Sequence, residues 1–167
     1  MALVTGALSA VVAKALVWLI AEITNLSFYG RLSSQFVSPA GNHLGPWVIV
    51  PPIVGGLIIG LLARYGSEKI RGHGIAEALE AILFGRSRTQ AKVAVLKPLS
   101  SAISIGTGGP FGAEGPIIMT GGAVGSLFAQ MFHLSSAERK TLLVAGAAGG
   151  MAAIFARTVV AETWTYQ

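Results

Sequence analysis

Ile105-Gly-Thr-Gly-Gly-Pro-Phe-Gly-Ala-Glu-Gly-Pro-Ile117 is a glycine-rich stretch carrying a single carboxylate. Apart from Glu114, no charged residue lies between Lys97 and Glu138. An ionisable group alone in an apolar run long enough to cross a bilayer is costly unless it serves a pathway for ions or protons. Gly106, Gly108, Gly109, Pro110, Gly112 and Gly115 together disfavour one continuous helix through the stretch. The expected arrangement is a helix that stops before it and a new one from about Pro116 to Phe132, with Pro116 in the first turn, where its missing N–H costs nothing. A helix start inside a membrane offers unpaired N–H groups and roughly +0.5 of an elementary charge, which suits an anion. Broken backbone at that depth is tolerated where protein or a water-filled cavity satisfies it, so the stretch reads as a pore or transport site. Glu114 would hold the anion's place when ionised and vacate it when protonated or displaced.

Composition places the stretch in an integral membrane protein. Of 167 residues, 53% are hydrophobic and 11% charged, and the mean hydropathy is +0.68, against about 25% charged residues in ordinary soluble chains. There is no cysteine and no aspartate, which excludes disulfides and thiolate metal sites. No metal and no cofactor is expected. Seven of the twelve basic residues fall between Arg64 and Lys97, and a loop this basic is expected on the cytoplasmic side. That reading is preferred to a nucleic-acid patch.

Along the chain, Ala2 to Ala21 has the length of a span and lacks the basic start and cleavage site of a signal peptide. Trp18, Glu22 and Phe28 to Arg31 mark its expected exit into an interfacial loop that continues through Ser38 to Asn42. A second span is expected from about Trp47 to Ala63, with Pro51-Pro52 breaking its early part and Gly56 and Gly60 forming a face for another helix. Ile70 to Phe84 carries a short helical pattern with Ile75, Leu79, Ile82 and Leu83 on one side, too short to span. Its start, Gly72-His73-Gly74, offers free N–H groups. Ala91 to Ile105 is a third apolar segment, expected to be interrupted at Pro98 and Ser100-Ser101. Ser135 and Glu138 have capping-box spacing and predict a helix start near Ser136. Thr141 to Phe155, with Gly146 and Gly150 four apart, predicts a closely packed membrane helix.

Gly112-Ala-Glu-Gly-Pro116, with Gly108-Gly109 before it and Ile117 to Ser126 after it, resembles the glycine-glutamate-glycine-proline motif of the ClC chloride channels and chloride/proton exchangers. The resemblance runs at lower similarity from about Pro46 to Phe155. It implies that Glu114 is the gate and that Gly112, Ala113 and Gly115 contribute to the anion site. Gly72-His73-Gly74-Ile75 resembles the family's first selectivity motif and implies a second set of anion-binding residues. His73 stands where that motif has serine, and Ala76 where it has proline. Ala113 stands where a basic residue is usual before the glutamate.

The resemblance implies an all-α polytopic membrane fold with broken and re-entrant helices, about six helical segments in all, forming the N-terminal inverted-repeat half of a ClC-like domain over residues 1–167. It stops near Ala156, and the second half of the family's architecture is expected to be missing. The implied function is gated chloride transport across the cell membrane, with chloride, protons in the exchanger case, and lipid as partners. A homodimer is implied for the full-length family. No nucleic-acid partner is expected. The alternatives are a non-transporting fragment, or a half-protein that needs a partner. A phosphate-binding enzyme would need a strand before the loop and either a lysine after it or the full dinucleotide fingerprint, and neither is present. With no cysteine or aspartate and the histidines in unrelated contexts, enzyme chemistry is not expected.

Overall fold

A computed structural model of the chain describes residues 1–66, 70, 91–132 and 134–165. Among these residues there are helices, turns and no strand. Five α-helices are described: α1 (Ala2–Tyr29), α2 (Val50–Leu61), α3 (Ala91–Gly106), α4 (Glu114–Met131) and α5 (Ser136–Thr165). The short helical pattern expected over Ile70 to Phe84 lies outside the described residues, save Ile70.

The solvent preference of the fold is inverted relative to a water-soluble protein. On α1, Thr5, Ser9, Thr24 and Asn25 are buried, while Leu3, Val4, Leu8, Val11, Trp18 and Leu26 are exposed. On α2, Val50, Ile53, Val54, Leu57, Ile58 and Leu61 form an exposed stripe at helical spacing, and Gly55 alone is buried. Hydroxyls on the inside satisfy themselves on their own helices: Thr24 donates to the Ile20 carbonyl at 2.9 Å and Thr120 to that of Pro116 at 2.6 Å. Such an exterior is stable against hydrocarbon rather than water. Two helical segments are long and apolar enough to span: Ala2–Tyr29, and Gly45–Tyr65, in which a 3₁₀ turn leads into α2 and a wider π turn follows it. The 21 residues of the second rise about 30 Å, the thickness of a hydrocarbon core.

α1 outruns its expected end at Ala21 and stops at Tyr29, where Gly30 takes the left-handed conformation (φ 60°) and its N–H bonds the Asn25 carbonyl. Polar residues do not end the helix because they bond back to it. The Asn25 amide, fully buried, donates to the carbonyls of Ala21, Ser33 and Gln35 at 2.7–2.9 Å, and its oxygen accepts from Arg31 Nε at 3.0 Å. Tyr29 ties the same loop down further along, donating to the Ser38 carbonyl at 2.6 Å.

The pair α4 and α5 makes the most extensive helix contact, and α1 packs across both. Glycine permits the approach. A Cβ on Gly121 would meet the Gly146 carbonyl, one on Gly125 the Leu142 carbonyl, and one on Gly149 the Gly6 Cα at 2.8 Å. The Ser9 hydroxyl donates to the Gly121 carbonyl at 3.2 Å, joining α1 to the same junction. Ala13, Leu16, Ile20, Ala102 and Ile117 form the apolar cluster beside it.

Three further expectations are corrected here. α3 runs unbroken through Pro98, because membrane helices tolerate proline when neighbouring groups take up the carbonyl that the ring leaves without its N–H partner. In the second span, Pro51 and Pro52 lie in the opening turn of α2 and so begin the helix rather than break it. Its packed glycine is Gly55, set against the Thr107 side chain, whereas Gly56 and Gly60 face open space.

Candidate anion site at the start of α4

The break expected between the third and fourth apolar segments is present. α3 ends at Gly106 and α4 begins at Glu114. The turn between them is first bonded back onto the end of α3, the Thr107 N–H to the Ile103 carbonyl, Gly108 to that of Ile105 and Gly109 to that of Ser104, and then within itself, Phe111 N–H to the Gly109 carbonyl, all at 2.8–3.0 Å. Gly108 has φ +93°, a conformation L side chains rarely adopt, and this lets the chain reverse within a few residues.

α4 starts without a side-chain cap. Its N-cap residue is Ala113, whose side chain has nothing to offer the first amides. The first bond of the helix is Ile117 N–H to the Ala113 carbonyl at 3.0 Å, and Pro116 has no N–H. The amides of Glu114 and Gly115 therefore stand ahead of the helical ladder, as do those of Gly112 and Ala113. Glu114 is the acidic residue of the first turn, where the helix dipole favours negative charge by about 0.3–1 kcal/mol.

Packing orients this helix start. Ile117, the largest fully buried side chain, and Ala113, one turn earlier, seat against the cluster formed with Leu16 and Ile20 of α1. Glu114 points away from that face and is exposed, together with Phe111 and Gly112. One carboxylate and several undischarged amides thus occupy the same few ångströms. The structure brings Gly112, Ala113, Glu114 and Gly115 together at one helix mouth. Gly72, His73, Gly74 and Ile75, the other expected anion-binding residues, lie outside the described residues.

A feature the sequence reading passed over is Lys97. Counted there among the basic residues of a topology signal, it is only 2% exposed on α3, lining a shallow crevice with Val93, Pro98, Met119, Thr120 and Ala123. The spacing Val93, Lys97, Ser100, all buried, was the available signal, since those positions share a helix face. Among the described residues no group of three or more His, Cys, Asp or Glu side chains is placed to hold a metal ion.

Comparison with known proteins gives this geometry a context. The family model described as voltage gated chloride channel matches residues 55–159. A ClcB-like protein of Ralstonia nicotianae is 33% identical over 116 residues, covering 66% of this chain and 27% of that protein. The voltage-gated ClC-type chloride channel ClcB of Yersinia pseudotuberculosis is 29% identical over 131 residues, 76% of this chain and 31% of the relative. The H(+)/Cl(-) exchange transporter ClcA of Vibrio campbellii is 36% identical over 122 residues, 71% and 26% respectively. The chain therefore spans about a quarter to a third of the length of these curated relatives. No solved structure matches it at a significant level.

Proposed function

The chain belongs to the voltage gated chloride channel family, and on that premise we propose that it takes part in moving chloride across a membrane, with Glu114 as the gate. The observation that carries the proposal is the start of α4: a carboxylate on the first residue of an uncapped helix, at a break in an otherwise apolar helical protein. A halide and an ionised carboxylate suit the same amides, so one excludes the other. Protonation or outward rotation of Glu114 frees the amides of Gly112, Ala113 and Gly115 for the permeating ion. Nothing in this scheme makes or breaks a covalent bond, and the work is translocation rather than catalysis.

The finer parts of the reading are proposals as well. Residues 1–167 form part of one transmembrane domain, the first inverted-repeat half, with Gly72, His73, Gly74 and Ile75 contributing to the anion path. The remaining wall comes from family sequence of the kind the relatives carry outside the matched region. The protein sits in the cell membrane and, like the full-length family, works as a homodimer. Because the relatives include both a channel and an exchange transporter by name, proton coupling is left to experiment: a reversal potential that moves with pH identifies exchange.

The test is chloride efflux from proteoliposomes, with the chain alone and joined to a family second half. Removing the carboxylate charge forfeits about 0.3–1 kcal/mol of helix-terminus stabilisation, roughly a two- to fivefold change in gate occupancy. Glu114→Gln should therefore raise chloride flux about two- to fivefold and abolish its proton dependence. Wild-type flux and wild-type pH dependence in that variant would remove Glu114 as gate. If the 167 residues carry flux only when joined to the second half, the chain is a half-site that needs a partner.

A further inference from the structure

The position of Glu114 depends on the turn before it, and two elements remote in sequence grip that turn. Phe28, near the end of α1 and buried, lies over Gly108; a Cβ added there would come within 3.0 Å of the ring Cζ and within 3.9 Å of Pro52 Cγ on α2. Thr107 is pressed against Gly55, the only buried residue of α2, where a Cβ would stand 2.9 Å from both Thr107 Cβ and Cγ2. Gly106 is closed on its other side by Ile23 of α1, 2.6 Å from a would-be Cβ.

We propose that Phe28 and the Thr107–Gly55 contact are positioning elements for Glu114, acting through the turn at Gly108. The hydroxyl of Thr107 donates to the Ile103 carbonyl at 2.7 Å, which fixes the residue at the end of α3, and its side chain, hydroxyl oxygen included, bears on Gly55 of α2. The amides of Thr107, Gly108 and Gly109 bond back to carbonyls at the end of α3, and Phe111 N–H to the Gly109 carbonyl, so the turn moves with the end of α3. Two residues, Gly112 and Ala113, separate the turn from Glu114, and Ala113 is packed against the apolar cluster. A shift of the turn therefore re-aims the first residue of α4 instead of being absorbed by slack chain. Apart from the turns flanking it, α2 packs mainly on α3, and its outer stripe is exposed, so displacement of α2 reaches the turn through Gly55 and Pro52.

This rests on the reading of Glu114 as the functional group, and its test is independent of ion flux. The chain has no cysteine, so Glu114→Cys provides a single thiol whose modification rate by a charged methanethiosulfonate reports the exposure of that position. A second reporter, Ala137→Cys, sits exposed in the first turn of α5. Phe28→Ala should change the rate at the Glu114→Cys site by about threefold or more, the range in which residues along a packed contact network couple, and leave the Ala137→Cys rate unchanged. Phe28→Leu should produce a smaller change in the same direction. Leu26→Ala, on the exposed face of α1, should change neither. An unchanged rate at the Glu114→Cys site, or an equal change at both reporters, which marks general loosening, overturns the proposal. Failure of wild-type liposomes to pass chloride would count against the transport reading alone.

Discussion

Gly108 shows how narrowly one backbone position can be specified. Its φ of +93° lies where an L side chain is strained, and a side chain there would also strike the Phe28 ring. Strain of this kind costs about 1–3 kcal/mol, and the steric conflict adds to it. Gly108→Ala should accordingly lower the thermal midpoint of the protein in detergent, while Gly112→Ala, with open space around its Cβ position, should leave it nearly unchanged; circular dichroism on heating checks both. The identity of the suspect carboxylate was legible because Glu114 is the only charge in a long apolar run, and Pro116 marked the helix start to within two residues. That a buried lysine lies on α3 was hidden by its membership of a basic interval. Hydropathy averages over a window, whereas burial depends on the face a residue takes.

At the scale of the element, the link into α5 was the most readable part of the chain. Ser135 and Glu138 bond reciprocally: Ser135 N–H donates to Glu138 Oε2 at 2.9 Å, the Ser135 hydroxyl to the same oxygen at 2.6 Å, and Glu138 N–H to Ser135 Oγ at 3.3 Å. All three bonds are local, so four residues of sequence contain the whole interaction. The hydrogen bonds from the Ser135 side chain and backbone hold the Glu138 carboxyl below its ordinary value of 4.5. A group whose folded pKa is depressed contributes stability above its unfolded pKa and loses it as pH falls through the folded one. The wild-type protein should thus lose this contribution on acidification below about pH 4.5, and Glu138→Gln should flatten that part of the profile. Thermal midpoints across pH 3–7 test it, with Ser135→Ala, which keeps the backbone N–H bond to Glu138, expected to flatten the profile less than Glu138→Gln. The end of α1 was less legible, because Asn25 stabilises the helix through Ser33 and Gln35, eight and ten residues ahead. Window arguments do not reach so far. Pro98 misled for a related reason, since the tolerance of a proline is decided by what surrounds it.

Across the whole molecule, helical class and membrane character followed from composition and from the lengths of the apolar runs. Gly146 and Gly150 were expected to face a neighbour, and they do: Gly146 meets Gly121, and Gly150 lies near Ile117. Which helix supplied that neighbour was not readable, because a stripe of small residues states that something comes close without naming it. Hence Gly55 was passed over in favour of Gly56 and Gly60, which have the same residue type and similar surroundings in sequence. The close junction makes a sharp prediction. Gly146→Val places its Cβ on the Gly121 backbone, with the carbonyl carbon at 3.0 Å. Main chain cannot turn aside as a side chain does, so the cost should reach or exceed the 1–3 kcal/mol typical of overpacking. Gly56→Val, facing outward, should be tolerated, and size-exclusion profiles with thermal melts of the two variants compare them directly.

The junction has one more consequence, for motion. Where α5 meets α4 and α1 main chain to main chain, no rotamer is available to change. α1, α4 and α5 then behave as a fixed chassis. Any displacement among the described residues then falls to the parts outside it, α2 with its exposed stripe and the reversal ahead of Glu114.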